Sequence, residues 1–123
     1  MEQFNFFTKY KDWILGGTKY RTVRFGDKYY REFKVGDRVK ITICDEFENP
    51  EKLTNAEKIA EAEIVELVCK KIKDIKQEDV IGDPEAWPKS SLIAGLSEIY
   101  SKRIGRNVTE EDFVTIVKFR VIL

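Results

Sequence analysis

A chain of 123 residues that is 42% hydrophobic, with eight Phe, five Tyr and two Trp, has enough apolar material for one core without a metal or disulfide staple. Its 22 basic and 22 acidic side chains cancel, and no stretch approaches the ~20 apolar residues of a membrane span. There is no histidine, which excludes His-based acid–base catalysis and Ser-His-Asp triads and leaves Lys, Asp, Glu, Tyr, Thr and Cys as reactive groups.

Residues 4–7 form a short apolar run that predicts a first strand. Thr8 then offers a cap for a helix through Leu15, with Tyr10, Trp13 and Ile14 on its buried side and a left-handed end at Gly16 or Gly17. Residues 20–25 alternate and contain Tyr, Thr and Val, which predicts a strand. Residues 34–37, Lys-Val-Gly-Asp, read as a turn. The strand that follows, residues 38–44, puts Val39, Ile41 and Ile43 inward and Arg38, Lys40 and Thr42 outward. Residues 45–55 form an acidic loop whose carboxylates, Asp45, Glu46, Glu48 and Glu51, lack the spacing of a calcium loop and predict a solvated segment.

Residues 60–72 admit two readings. Ala, Glu and Lys content favours a helix. Yet Ala60, Ala62 and Ile64 alternate, and Val65, Leu67 and Cys69 alternate in the opposite phase, as in a strand with a bulge. Asp83-Pro84-Glu85 has the composition of a helix start. Residues 90–104 space Leu92, Leu96, Ile99 and Tyr100 as a second helix, closed by Gly105. Residues 113–123 are a β-branched run and predict a central strand. The order predicts an α+β fold with a mostly antiparallel, curled sheet, and the absence of repeats and linkers predicts one domain over residues 1–123.

Cys44 and Cys69 stand alone in apolar stretches, which predicts buried thiols and no structural metal. The first residues lack a basic segment and cleavage pattern of a secretion signal, so the expectation is a cytoplasmic protein. Charge is uneven. Residues 1–40 hold ten Lys/Arg against five Asp/Glu, a net +5, and the remainder holds twelve against seventeen, a net −5. A basic N-terminal third can steer a phosphate-bearing ligand, or simply neutralise the other half in the fold. Between Arg24 and Lys40, basic residues interleave with Phe25, Tyr29, Tyr30 and Phe33. Aromatics of this kind stack bases while Lys and Arg contact phosphates, and Trp87 can wall a base pocket.

Phe6-Phe7, then Ile14-Leu-Gly-Gly-Thr-Lys-Tyr-Arg-Thr-Val-Arg24, then Val35-Gly-Asp37 before a strand, resembles the ASCH domain of the PUA-like superfamily. Leu96-Ser-Glu-Ile-Tyr100 and the long last strand are similar to the small ASCH proteins. The resemblance implies a small β-barrel of mostly antiparallel strands with two to three flanking helices, and a cleft for RNA or a modified nucleoside. It favours strand over helix for residues 60–72. Small members are similar to bacterial N(4)-acetylcytidine amidohydrolases, whose Lys, Thr and Glu catalyse. Carried across, these are Lys19, Thr22 and Glu85, with Asp83 and Glu78 as rivals for the carboxylate. Arg21, Arg24, Tyr20, Tyr29, Tyr30 and Trp87 are the expected ligand contacts. Tyr20 stands where the family usually has Thr. No cofactor or metal is implied, and the oligomeric state stays open between a monomer and a weak homodimer. Binding of RNA without chemistry, a protein-interaction role and RNA cleavage are the other readings the resemblance allows.

Amide hydrolysis needs a nucleophile, a base and a proton donor. Thr22 supplies a hydroxyl, Lys19 acts as base when its pKa is lowered, and Glu85 activates water or shuttles the proton. On a regular strand, residues three apart point to opposite faces. Lys19 and Thr22 therefore converge only if Gly16-Gly17 bends the chain ahead of the strand.

Overall fold

Residues 2–45 and 56–122 are described by the computed structural model. The acidic loop lies mostly outside these residues. The chain opens with β1 (Gln3–Phe6), a single 3-10 turn (Thr8–Tyr10) and α1 (Lys11–Leu15). Then come β2 (Arg21–Phe25), α2 (Lys28–Glu32), β3 (Arg38–Ile43) and the long β4 (Glu57–Lys71). Two further 3-10 turns lead to α3 (Lys89–Ile104), and β5 (Phe113–Ile122) ends the chain.

The five strands form one sheet in the order β1-β3-β4-β5-β2. β1 pairs with β3 in parallel, and the other pairings are antiparallel. The sheet curls into a half-barrel with three helices, the α+β fold expected from the element order. β1 and β2 are its edges. Arg24 on β2 crosses between them, donating from Nη2 to the Asn5 carbonyl of β1 at 2.8 Å.

β4 is a strand, and the two-phase alternation marks its bulge. Ile64 pairs with Phe119 and Glu66 with Lys118, so Val65 is the additional residue. A bulge rotates the strand and lets both halves of β4 turn apolar side chains to a core. β3 has a register shift between Ile41 and Thr42. This corrects the outward placement of Thr42: the side chain is buried and its hydroxyl donates to Asn5 Oδ1 at 3.2 Å.

The core forms two clusters, and β5 serves both. Val117 and Phe119 join Phe4, Phe6 and Ile41 in the first, while Val114 and Ile116 join Val23, Leu92 and Leu96 in the second. β5 is interior, as expected, with β4 on one side and β2 on the other.

Other differences have local causes. Thr8 makes no side-chain cap, and α1 is short, with Ile14 buried and Trp13 exposed. Gly16 stays right-handed and Gly17 takes the left-handed conformation at φ +82°. Asp83-Pro84-Glu85 begins no helix. It lies in a turn whose Ala86 N–H donates to the Asp83 carbonyl at 3.1 Å. Trp87 precedes Pro88, which disfavours helical backbone there, so α3 starts at Lys89. Gly105 closes α3 in the left-handed form. α2 was not anticipated, because five residues are too few for a helical period to register. Cys44 and Cys69 are free thiols, half-buried rather than enclosed.

Candidate functional site

A cleft of about 730 Å³ opens between β2, α2, α3 and the turn at residues 83–87. That lies within the ~300–1,000 Å³ range of small-molecule sites. Its wall includes Lys19, Thr22, Arg24, Tyr29, Glu85 and Trp87.

The bend that brings Lys19 over β2 is the one the glycines permit. Gly17 turns the chain, and the Lys19 N–H then donates to the Trp13 carbonyl at 2.9 Å. The side chain is 4% exposed and its ammonium lies 2.9 Å from Asp83 Oδ1, itself 9% exposed. Nζ also donates to the Arg21 carbonyl at 3.3 Å and sits 4.8 Å from the centre of the Tyr10 ring. Burial pushes the Lys19 pKa below the ordinary lysine value. Asp83 pulls it back up in part, and the Arg24 charge adds to the lowering.

Thr22 is buried on β2, where its Oγ1 accepts from Arg24 Nε at 3.2 Å. The Arg24 guanidinium lies over the rings of Phe6, Phe4 and Tyr29 at 4.8, 5.5 and 5.5 Å. With the bond to Asn5, these contacts fix its plane. Glu85 accepts from the Tyr10 hydroxyl through Oε2, and Lys9 Nζ stands 3.2 Å from its Oε1. Burial raises the Glu85 pKa, but the Tyr10 and Lys9 contacts outweigh it and hold the carboxyl below its usual range. The same pair drives the Tyr10 phenol upward: burial first, then the bond to Glu85 and its charge.

Three expected ligand contacts lie outside the cleft wall. Arg21 donates from Nη1 to the Ile81 carbonyl at 2.9 Å and sits 3.9 Å from Glu66. Tyr20 lays its ring against Gly82, and Tyr30 is exposed on α2. Of the rival carboxylates, Asp83 touches Lys19 directly, whereas the Glu78 side chain is exposed and only its carbonyl meets Arg21. The basic-aromatic stretch divides. Phe33 is core, Phe25 stacks on Tyr100 at 5.3 Å, and Lys28 and Tyr29 reach the cleft. Tyr10 and Arg103 were missed as cleft residues. Tyr10 carried a signal, since its phase on the first helix pointed inward, toward the same side as Ile14. Among the described residues, no group of three Cys, Asp or Glu is placed to hold a metal. Among the described residues, no helix is long and apolar enough to cross a membrane.

No protein-family model matches the sequence, and no curated protein sequence matches it. Solved structures do. Over 98% of its length the chain is similar to the ASCH domain from Lactobacillus crispatus, at 14% identity and a TM-score of 0.62, covering 79% of that chain. The fold is that of the ASCH domain. Protein EF3133 of Enterococcus faecalis agrees over 99% of this chain and 76% of its own, at 10% identity and a TM-score of 0.71. An ASCH protein from Zymomonas mobilis agrees over 96% and 66%, at 10% identity and a TM-score of 0.57. In this ASCH fold Lys19, Thr22 and Arg24 of the glycine-led motif line the cleft together with the turn at residues 83–87, and the Lys19–Asp83 ion pair joins the two segments.

Proposed function

We propose that the cleft binds the base of RNA or of a modified nucleoside and hydrolyses the acetyl amide of N(4)-acetylcytidine. The observation that carries this reading is that Lys19, Thr22 and Glu85 all line one cleft, with the amine buried and its pKa lowered. A lysine with a lowered pKa has a larger neutral fraction near neutrality and so works as a base. Thr22 Oγ attacks the acetyl carbonyl as neutral Lys19 takes its proton, and Arg24 steadies the oxyanion. The proton passes to the departing cytosine amine. Water, activated by Glu85, then releases acetate from the acyl-threonine. Trp87 and Tyr29 offer aromatic faces for the base.

The test is incubation of the protein with N(4)-acetylcytidine, following cytidine and acetate by chromatography. The expected result is release that falls at least ~100-fold in Thr22→Ala while cytidine still binds. Undiminished release in that variant would overturn Thr22 as nucleophile. A second reading, binding without chemistry, is favoured by one detail. Lys19 is held as an ion pair by Asp83 and Thr22 Oγ1 is occupied by Arg24. On that reading cytidine binds, and neither it nor its acetylated form is altered.

A further inference from the structure

Tyr10 stands between two proton-handling groups of the cleft, and the mechanism above leaves it unused. Its hydroxyl donates to Glu85 Oε2, 75 residues further along the chain, and its ring centre lies 4.8 Å from Lys19 Nζ. Lys9, the residue before it, sits 5.1 Å from the same ring and 3.2 Å from Glu85 Oε1. Both Glu85 oxygens are therefore engaged by the turn Thr8–Tyr10. The ring is itself held, with Phe7 and Trp13 at 6.2 and 5.7 Å from it, centre to centre. The charges of Lys19 and Glu85 also reach one another, each favouring the other's charged form. Tyr10 and Glu85 border two spaces at once: the cleft, and a smaller cavity of about 350 Å³ that adds Lys9, Asp45 and Glu98 to its wall.

We propose that Tyr10 is a positioning residue for Glu85, its hydroxyl fixing the carboxylate in the orientation that activates water against the acyl-threonine. The proposal rests on the hydrolase reading above and adds a residue to it. The Glu85 side chain is 45% exposed, and without Tyr10 its restraint would fall to Lys9, itself 60% exposed. An exposed pair of long side chains holds geometry weakly. A hydroxyl on a half-buried ring supplies a fixed donor instead. Burial and the Glu85 contact raise the phenol pKa, so it stays a donor across the neutral range. In the step itself, Glu85 takes a proton from water as the water oxygen bonds to the acetyl carbon. The bond from that carbon to Thr22 Oγ then breaks, Oγ takes the proton back from Glu85, and acetic acid leaves and ionises in solvent. The smaller cavity gives water an approach to the carboxylate besides the cleft.

The charges that face Glu85 are Lys9 on the 3-10 turn, Lys19 ahead of β2, Asp83 in its own turn and, on the smaller cavity, Asp45 and Glu98. Tyr10→Phe leaves all of these and the ring, and removes one hydrogen bond. The test compares the intact protein with this variant, its fold verified by circular dichroism. The Glu85 carboxyl is titrated by carbon NMR, with its resonance assigned through Glu85→Gln. Burial opposes the lowering of the Glu85 pKa, and the Tyr10 bond is the first of the contacts that produce it, so the variant is expected to show a raised value. During turnover of N(4)-acetylcytidine, mass spectrometry of quenched samples reads the fraction of enzyme acetylated on Thr22. Acetate release is expected to slow ~10-fold, the worth of one hydrogen bond to a charged group, and the acetylated fraction to rise above that of the parent. A general loss of packing would slow acylation as well and would not raise that fraction. An unchanged Glu85 pKa overturns the proposal whatever turnover does. A raised pKa with an unchanged acetylated fraction overturns it too, because the carboxylate then works without the bond. Absence of cytidine and acetate with the parent overturns the hydrolase reading, and the titration then decides alone whether Tyr10 holds Glu85.

Discussion

An ammonium as enclosed as that of Lys19 is stabilised by whatever anion is enclosed with it, and here that anion is Asp83. Removing one member of a buried pair leaves the other uncompensated. Asp83→Asn is expected to lower stability by about 3 kcal/mol, read by urea unfolding at neutral pH. It also has a sign in pH. Lys19 is already depressed by burial, and Asp83 opposes that depression, so its loss lowers the amine further. A depressed group contributes stability above its unfolded value that is lost as pH falls through the folded value. The variant is therefore expected to carry this loss to lower pH than the parent. Any turnover that needs neutral Lys19 is expected to switch on at lower pH as well, which a pH–rate profile measures. At this scale the sequence was partly legible. Lys19, Thr22 and Arg24 could be read as neighbours because two glycines precede them. The partnership of Lys19 with Asp83 could not, because it joins segments far apart in the chain whose approach depends on the whole sheet.

Two segments meet closely where β2 begins. Gly82 accepts at its carbonyl from the Tyr20 and Arg21 N–H groups at 2.8 and 3.0 Å, and its φ is +92°. A Cβ there would stand 2.5–2.7 Å from atoms of the Tyr20 ring. Gly82→Ala is expected to lose about 2–3 kcal/mol, from an unfavourable backbone region and a clash together. Tyr20→Ala removes the clash and leaves the strain. In a double-mutant cycle the pair is therefore expected to cost less than the sum of the singles, and strict additivity would refute this account. Tyr20 thus acts on the cleft through the turn that delivers Asp83. Element types were readable where periodicity was long, as in α3 and β5, and the bulge in β4 was written in the phase flip at Val65. The Asp83 turn misled because Asp-Pro-Glu has helix-start composition. The ion pair to Lys19 and the approach of Pro88 decide its conformation instead.

At the scale of the molecule, β5 lies between β4 and β2 and feeds both hydrophobic clusters. Its amides are expected to exchange with solvent only through global unfolding, whereas those of the edge strand β1 exchange through smaller openings. Hydrogen exchange resolved along the chain measures this, and β5 exchanging as fast as β1 would contradict it. The α+β class and curled sheet followed from the order of elements. The junction of the two sheet edges did not, because it is made by one side chain rather than by a strand pattern. That junction has a consequence of its own. Arg24 latches the seam of the half-barrel and also faces the cleft. An anion that draws Nη2 toward the cleft competes with the Asn5 carbonyl for that donor, whereas one that takes only the remaining donors leaves the seam bond in place. The seam is then loosened or tightened by whatever occupies the cleft, and the edge of the sheet becomes a gauge of occupancy.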